Sequence, residues 1–429
     1  MLQVTPAKAG QKQAFILRRR FEFLGALVVA ALIPWAGMRW IITDTSFDAA
    51  VFHNSLIANA LAICMALWIR ISVSTFPGIR AGQLILPAIV VSHATMVTLL
   101  LLSRLPYHRP SLAVGFLLHL LWAFAIYFFV QRRVRPSIAI VPYGDVEDLS
   151  ALENVEWHRL HRPDVADAAA CNAIVADFAA EMPDEWERFL ADAAVEGRVV
   201  YQVQQLRESL SGRIQIKHLS ENSFGSLAPA RAYMAVKHAG DFVAALILLP
   251  LAAPLLAACA LAIRISDGRP VLFRQKRVGR GGREFTVLKF RTMRLIGALD
   301  PDDRTAAMTG EGDVRITRLG HVLRRARLDE LPQLINILKG EMSFIGPRPE
   351  AQILSGWYTK EIPFYRYRHV VRPGISGWAQ VNQGHVAEVD EVHRKLQYDF
   401  FYIKYFSPWL DLLILFKTVK TVLSGFGAR

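Results

Sequence analysis

Hydrophobic positions in the first third of the chain run in long unbroken blocks instead of alternating with polar ones. Apolar stretches cover about Phe21–Ile42, Val51–Ile69, Leu84–Ser103 and Leu112–Val130. Each is near the ~20 residues an α-helix needs to cross a ~30 Å hydrocarbon layer. The pattern predicts four membrane spans, of which the second is the most polar because it carries His53, Asn54 and Asn59. The first block is too long for a cleaved signal peptide and lacks a small-residue cleavage site. His93 and His119 fall inside spans with no charged residue near them in sequence, and read as packed or hydrogen-bonded helix residues.

Beyond residue 131 the period changes. Ser137–Pro142, Ala173–Phe178 and Arg198–Val203 are short β-branched runs, and Asp184–Glu196 puts Trp186, Phe189, Leu190 and Ala193 on one helical face. Strand–helix–strand order predicts a small parallel sheet, a reduced Rossmann-like α/β module. Its turn Tyr143-Gly144-Asp145 is no G-x-G-x-x-G. That argues against dinucleotide binding, and so against an epimerase or dehydrogenase. Asp145 and Asp148 read as exposed loop charges.

A fifth apolar block, Asp241–Ile265, differs from the others. Arg231 and Lys237 lie on one flank, and Arg264, Arg269, Arg274, Lys276 and Arg277 on the other. Positive charge at both ends fits a segment that enters and leaves by one face. Pro250 and Pro254 favour a sharp bend between. The expected fold is a membrane α-helical bundle of four spans (1–131), the small α/β module (132–230) and a mainly α-helical domain (231–429). That last domain would carry a β-hairpin and a re-entrant membrane helix over about 241–265, broken at Pro250 and Pro254.

Composition supports the membrane reading and narrows the partners. Apolar residues make up 53% and charged residues 20%, against about 45–50% and about 25% in soluble proteins. Disorder, collagen-like fibre and disulfide scaffolds are excluded. Cys64, Cys171 and Cys259 show no C-x-x-C spacing and suit a reducing compartment. The net charge of +13 divides into +7 over residues 1–130, −6 over 131–230 and +12 over 231–429. Lys8, Lys12, Arg18, Arg19, Arg20, Arg70, Arg80, Arg132, Arg133 and Arg135 flank the spans on one side, against Arg39, Arg104 and Arg109 on the other. This bias places the N-terminus and everything after residue 131 in the cytoplasm. The basic C-terminal half suits phosphates or anionic headgroups. Nucleic acid fits poorly, because the basic residues flank lipid-facing segments.

Candidate chemistry gathers in four clusters. The first, Phe273-Arg274-Gln275-Lys276-Arg277-Val278-Gly279, leads into a Gly/Arg turn between two strand-like runs, which predicts a hairpin ending in Lys289-Phe290-Arg291-Thr292-Met293. The second, Arg324-Arg325-Ala326-Arg327-Leu328-Asp329-Glu330-Leu331-Pro332-Gln333, sets an acidic pair at a helix junction. The positive end of the next helix and Arg324 would favour ionised carboxylate there, as an acyl-phosphate mechanism requires. In the third, Gly346-Pro347-Arg348-Pro349-Glu350, Arg348 rides on a stiff loop suited to a bidentate hold on phosphate or carboxylate. The fourth, Arg372-Pro373-Gly374-Ile375-Ser376-Gly377-Trp378-Ala379-Gln380-Val381-Asn382, is another Gly/Pro loop whose polar groups could serve a base or a sugar.

These clusters, in this order over residues 231–429, resemble the bacterial sugar transferases, monotopic phosphoglycosyl transferases that start glycan assembly on a polyprenyl phosphate. The four spans and the module resemble the N-terminal extension of the larger members. The resemblance implies a UDP-sugar attacked at its β-phosphorus by Asp329, with release of UMP. The phosphosugar ester so formed passes to undecaprenyl phosphate. Glu330 matches the partner carboxylate, and Lys289, Arg291, Arg324, Arg348, Arg372, Gln380 and Asn382 fall on the substrate-handling motifs. Mg²⁺ is expected on Asp329. Also expected are a multi-pass protein of the bacterial inner membrane with its catalytic domain on the cytoplasmic face, a possible homodimer, and downstream glycosyltransferases in exopolysaccharide, capsule or O-antigen synthesis. A catalytically silent scaffold of the same fold is the alternative. Three departures stand out: Ala253-Pro254 in place of Ser-Pro, Arg327 where a small hydroxyl residue commonly precedes Leu-Asp-Glu, and Gln383-Gly384 after Val381-Asn382.

Overall fold

The computed structural model describes residues 19–41, 49–73, 84–129, 137–152, 155–214, 229, 231–294, 313–383 and 389–424. Lys8, Lys12, Arg18, Arg80, Arg132, Arg133, Arg135 and Gly384 lie outside the described residues. The chain divides into two compact units, Met1–Gly212 and Arg213–Arg429. Among the described residues, five helices are long and apolar enough to cross a membrane: Arg20–Trp40, Ala49–Val73, Ile85–Leu102, Arg109–Phe129 and Ala232–Ser266.

Four of these belong to the first unit. α1 runs through Arg19–Ala26, a π-helical stretch Leu27–Leu32 and Ile33–Ile41; α2 is Ala49–Val73, α3 Ile85–Leu102 and α4 Arg109–Phe129. Ala26, Ala30 and Ala31 pack on Ile63, so small side chains let α1 and α2 approach closely. Charged and imidazole groups inside the bundle find partners, while Trp35 Nε1 and Asn59 Oδ1 are buried without a hydrogen bond among the described residues. Glu22 on α1 pairs with Arg70 on α2. His93 Nε2 and His119 Nδ1 lie 3.2 Å apart across α3 and α4, so the two histidines satisfy each other.

The α/β module holds four parallel strands, β1 (Ser137–Ile140), β2 (Glu156–Arg159), β3 (Ala173–Ala176) and β4 (Val199–Gln202), in the order β2-β1-β3-β4. α5 (Asp184–Val195) buries Trp186, Phe189, Leu190 and Ala193 against the sheet, and α6 is Val203–Ser211. The sequence pattern misses β2, whose Glu, Trp, His and Arg carry no apolar alternation because it is an exposed edge. The order of strand addition reverses between β1 and β3, where open α/β sheets bind ligands. Here the protein's own groups fill that crevice. Asp177 Oδ2 accepts from the Asp145 amide at 3.0 Å, and Oδ1 accepts from the Ala179 amide at 3.1 Å. Gly144, at φ +79°, lies so close that a Cβ would meet the Asp177 Cβ at 2.6 Å. Asp145 is exposed but also pairs with Arg207 at 3.1 Å.

In the second unit α7 spans Arg231–Ser266. One face packs on the rest of the unit along its length. Ala245 and Leu249 meet Phe285, Val287 and Ile337, while Cys259 and Ile263 meet Phe290 and Leu323. The opposite face leaves Phe242, Leu246, Ile247, Leu251 and Ile265 exposed. Both ends are tied down. Lys237 Nζ is 2.7 Å from Asp411 Oδ2, and Ser343 Oγ donates to Asp241 Oδ2 at 2.5 Å. At the other end Thr317 Oγ1 donates to Asp267 Oδ2 at 3.0 Å. The helix runs without interruption through Pro250 and Pro254, where the sequence suggests a helix–break–helix. Each proline removes one backbone donor, and the packed face holds the turns around it.

β5 (Leu272–Val278) and β6 (Glu284–Phe290) form the expected antiparallel hairpin, with Phe273 opposite Lys289. α8 (Arg318–Arg325), a 3₁₀ turn Leu328–Gln333 and α9 (Leu334–Leu338) follow. The strands β7 (Ser343–Ile345) and β8 (Gly374–Ser376) pair in parallel, with α10 (Gln352–Glu361) and a 3₁₀ turn Tyr365–Val370 between them. α11 (Trp378–Gln383), α12 (Val389–Lys404) and α13 (Pro408–Ser424) complete the unit.

Candidate active site

The acidic pair is placed by its neighbours. Thr317 caps α8, its Oγ1 accepting from the Gly320 amide at 2.9 Å. Gly320 then passes so near the end of the hairpin that a Cβ would lie 2.2 Å from the Thr292 carbonyl oxygen. This approach lets Arg324 Nε, one turn on, donate to Thr292 Oγ1 at 3.0 Å. α8 ends, and Arg327 turns the chain at φ +57°, a left-handed conformation that side chains other than glycine rarely take. The turn that follows buries Asp329 and Glu330, 8% and 6% exposed.

β6 reaches this turn through Asn336. The side chain accepts from the Leu288 amide at 3.1 Å and donates to the Thr286 carbonyl at 2.8 Å, closing the strand's open edge. Lys289 comes next in the strand, and its Nζ lies 2.7 Å from Glu330 Oε1. Arg348 Nη2 reaches the same oxygen at 3.0 Å from the Gly-Pro-Arg-Pro loop. One carboxylate oxygen therefore carries two cations. Asp329 differs sharply: its Oδ1 is buried with no hydrogen-bond partner among the described residues.

The two carboxyls are pushed in opposite directions. Burial raises Asp329, and the charge on Glu330 adds to this, while Lys289, Arg324 and Arg348 oppose it without prevailing. Burial would raise Glu330 too, but Lys289 and Arg348 outweigh it and hold that carboxyl well below its ordinary range. Burial lowers the Lys289 ammonium to about 8. The readily ionised Asp329 expected from the helix end is thus reversed in direction. α9 has only five residues and offers little dipole, whereas burial beside an anion dominates.

This arrangement belongs to a known family. A profile of the bacterial sugar transferases matches residues 232–425. The chain is 41% identical over 411 residues, 95% of each chain, to a UDP-N-acetylgalactosamine-undecaprenyl-phosphate N-acetylgalactosaminephosphotransferase of Aeromonas hydrophila. It belongs to the bacterial sugar transferase family. Shorter matches cover 44% of the chain and 39% of a UDP-glucose:undecaprenyl-phosphate glucose-1-phosphate transferase of Xanthomonas campestris, at 44% identity. For a protein of the same description from Escherichia coli the figures are 43%, 39% and 41%.

Of the residues singled out by sequence in this sugar transferase, Asp329, Glu330, Lys289 and Arg348 meet, and Arg324 lies close enough for its charge to bear on Asp329. Four go elsewhere. Arg291 is buried, with Nη1 donating to the Arg269 carbonyl at 3.0 Å and Nη2 to Gly268 at 3.2 Å, and fastens the end of α7. Arg372 packs beside Gly340. Gln380 Nε2 donates to the Ile375 carbonyl at 3.1 Å, and Asn382 Oδ1 accepts from Lys417 Nζ at 2.7 Å. Sequence reasoning misses Asn336 and Gly320, whose roles depend on contacts to distant strands. It also leaves unassigned Arg277, whose Nη1 donates to the Pro349 carbonyl at 2.6 Å beneath the Arg348 loop.

Proposed function

We propose that the chain transfers a sugar-1-phosphate from a UDP-sugar to undecaprenyl phosphate, releasing UMP, as the first step of a cell-surface glycan. The observation that carries this is the split acidic pair, one carboxylate clamped by two cations and the other holding an unshared oxygen. An Asp329 oxygen attacks the β-phosphorus of the UDP-sugar, and the bond from that phosphorus to the bridging oxygen breaks. The bridging oxygen leaves with UMP, and an acyl phosphate joins Asp329 to the sugar. A phosphate oxygen of the lipid then attacks the same phosphorus. This gives lipid-diphospho-sugar and frees the carboxylate. Glu330, kept ionised by Lys289 and Arg348, orients the incoming groups, and Arg324 and Arg348 offset charge on the diphosphate.

Mg²⁺ fits the residues present. The Asp329 oxygen that accepts no hydrogen bond among the described residues is open to a cation, whose charge would favour the ionised carboxylate. Magnesium characteristically takes one or two protein carboxylates and completes its shell with phosphates and water. No cluster of three acidic, histidine or cysteine side chains is found among the described residues, which is in keeping with that sparse mode. Bound there on Asp329, the ion would neutralise the diphosphate.

α7 would seat its exposed apolar face in the bilayer from one side, without crossing it. Its two ends, at Lys237–Asp411 and Asp267–Thr317, are fastened to the same folded unit, and its packed face lies on that unit throughout. The charge bias puts this unit in the cytoplasm, with α1–α4 crossing the inner membrane. The first sugar to test is N-acetylgalactosamine, after the Aeromonas protein. The experiment is incubation of the membrane-embedded protein with undecaprenyl phosphate and a panel of UDP-sugars. UMP release with one or more is the expected result, and mass spectrometry of the trapped protein should show a phosphosugar adduct on Asp329. A silent scaffold would release UMP with none.

A further inference from the structure

The loop that presents Arg348 has one soft joint. Pro347 and Pro349 fix their own φ angles, and Pro349 also restricts Arg348 to extended backbone. The remaining freedom at this residue is rotation about its own N–Cα bond, which swings the Arg348 side chain and carbonyl together. That carbonyl oxygen accepts from Arg368 Nη2 at 2.9 Å. Arg368 is 4% exposed and its guanidinium is held on every side. Nε donates to Asp399 Oδ2 at 3.1 Å, Nη2 lies 2.9 Å from the same oxygen, and Nη1 donates to Tyr365 Oη at 2.8 Å. Asp399 comes from α12, which also sends Lys395 to Glu350 at the far end of the loop.

We propose that Arg368, braced by Asp399, is a positioning residue for the transfer reaction, fixing the Arg348 peptide so that the Arg348 guanidinium stays on Glu330. It rests on the transferase reading above. Without it the loop keeps its prolines and its other ties. These include the Arg277 bond to Pro349 and the Gly374 amide to the Pro347 carbonyl at 3.0 Å. What is released is the joint at Arg348 and a longer, 3.7 Å contact from Arg368 to Glu350, which keeps its pairing with Lys395. Arg368 touches no reacting group, so its effect on the chemistry passes through Arg348.

A double-mutant cycle in the full-length, membrane-embedded protein tests this, with Arg368→Lys and Arg348→Met alone and combined. A lysine keeps the charge against Asp399 but lacks the planar fork that reaches a second acceptor. Arg368→Lys should lower kcat about tenfold with KM for the UDP-sugar changed less than about twofold. Added to Arg348→Met it should cost less than about twofold more, because its target is already gone. Tyr365→Phe removes a different bond from the same guanidinium and should leave kcat within about twofold, even where thermal stability drops. Additive losses in the cycle, a loss confined to KM, or an equal loss in Tyr365→Phe would each overturn the proposal. Wild-type protein that turns over no UDP-sugar would overturn the transferase reading itself, a result distinct from all of these.

Discussion

Asp177 in the α/β module and Asp329 in the second unit are both aspartates beside a tight turn, and they are in opposite condition. Asp177 receives amides at both oxygens, and a glycine is drawn in until nothing else could fit. Asp329 is buried among cations yet has an oxygen that accepts nothing among the described residues. A carboxylate that closes a fold is saturated by backbone donors. One that must form a bond is kept dry and left short of a partner, its nearest cations, Lys289 and Arg348, being engaged by Glu330. Fold and reactivity thus call for contrary treatment of one side chain.

The sharpest way to break that contrast is to replace both with the isosteric amide. Asp329→Asn should reduce UMP release by at least about a thousandfold while the protein still reaches the membrane. Asp177→Asn should leave release within about twofold and lower the module's stability by about 1–3 kcal/mol, since an amide nitrogen replaces an acceptor. Comparable loss of transfer in both would erase the distinction.

The next test uses acidity. Lys289, lowered to about 8 from 10.5 by burial, loses its proton as pH rises through that value. Glu330 is then left with one cation fewer, so transfer should fall about tenfold per pH unit above the limb. Stability should move the other way. Between about 8 and 10.5 the unfolded chain binds this proton and the folded one does not, so the penalty of burying the ammonium is relieved as pH rises. Pairing rate profiles with melting curves for wild type and Lys289→Met would show both trends. Lys289→Arg should carry the alkaline limb upward, and an unmoved limb would detach it from this lysine.

Two glycines extend the contrast to backbone. Gly320→Ala drives a methyl into the Thr292 carbonyl and moves α8, so it should cost about 1–3 kcal/mol and lower kcat about tenfold by shifting Arg324. Gly144→Ala strains a left-handed turn by about 1–2 kcal/mol, adds a clash with Asp177, and should leave kcat unchanged. Melting temperature and turnover, measured together, separate them.

What the sequence made legible follows from range. The apolar blocks of α1–α4, the hairpin over Leu272–Phe290 and the face of α5 are local periodicities, and they appear where the pattern puts them. Motif order also brought Lys289, Asp329, Glu330 and Arg348 together, because each lies where a rigid element ends. β2 stayed hidden because an exposed edge strand needs no alternation. Arg291 lies apart from the acidic pair because its destination, the carbonyls after α7, is a tertiary contact that no spacing encodes. The direction of Asp329 turned on burial, which no local signal carries.

The smallest effect lies in ion pairs of like chemistry and unlike surroundings. Arg207–Asp145 in the module spans 3.1 Å and Arg348–Glu330 spans 3.0 Å, so distance does not separate them. Asp145 is half exposed, its side chain 49% accessible, against 7% for Glu330. Water screens the first pair, and Arg207→Gln should change stability by less than about 1 kcal/mol with transfer untouched. In the second pair a lost guanidinium leaves a buried anion with Lys289 alone, which costs far more than a contact of that length at the surface. If Arg207→Gln destabilised the module by as much as Arg348→Met does its own unit, burial would not be what gives the Glu330 clamp its strength.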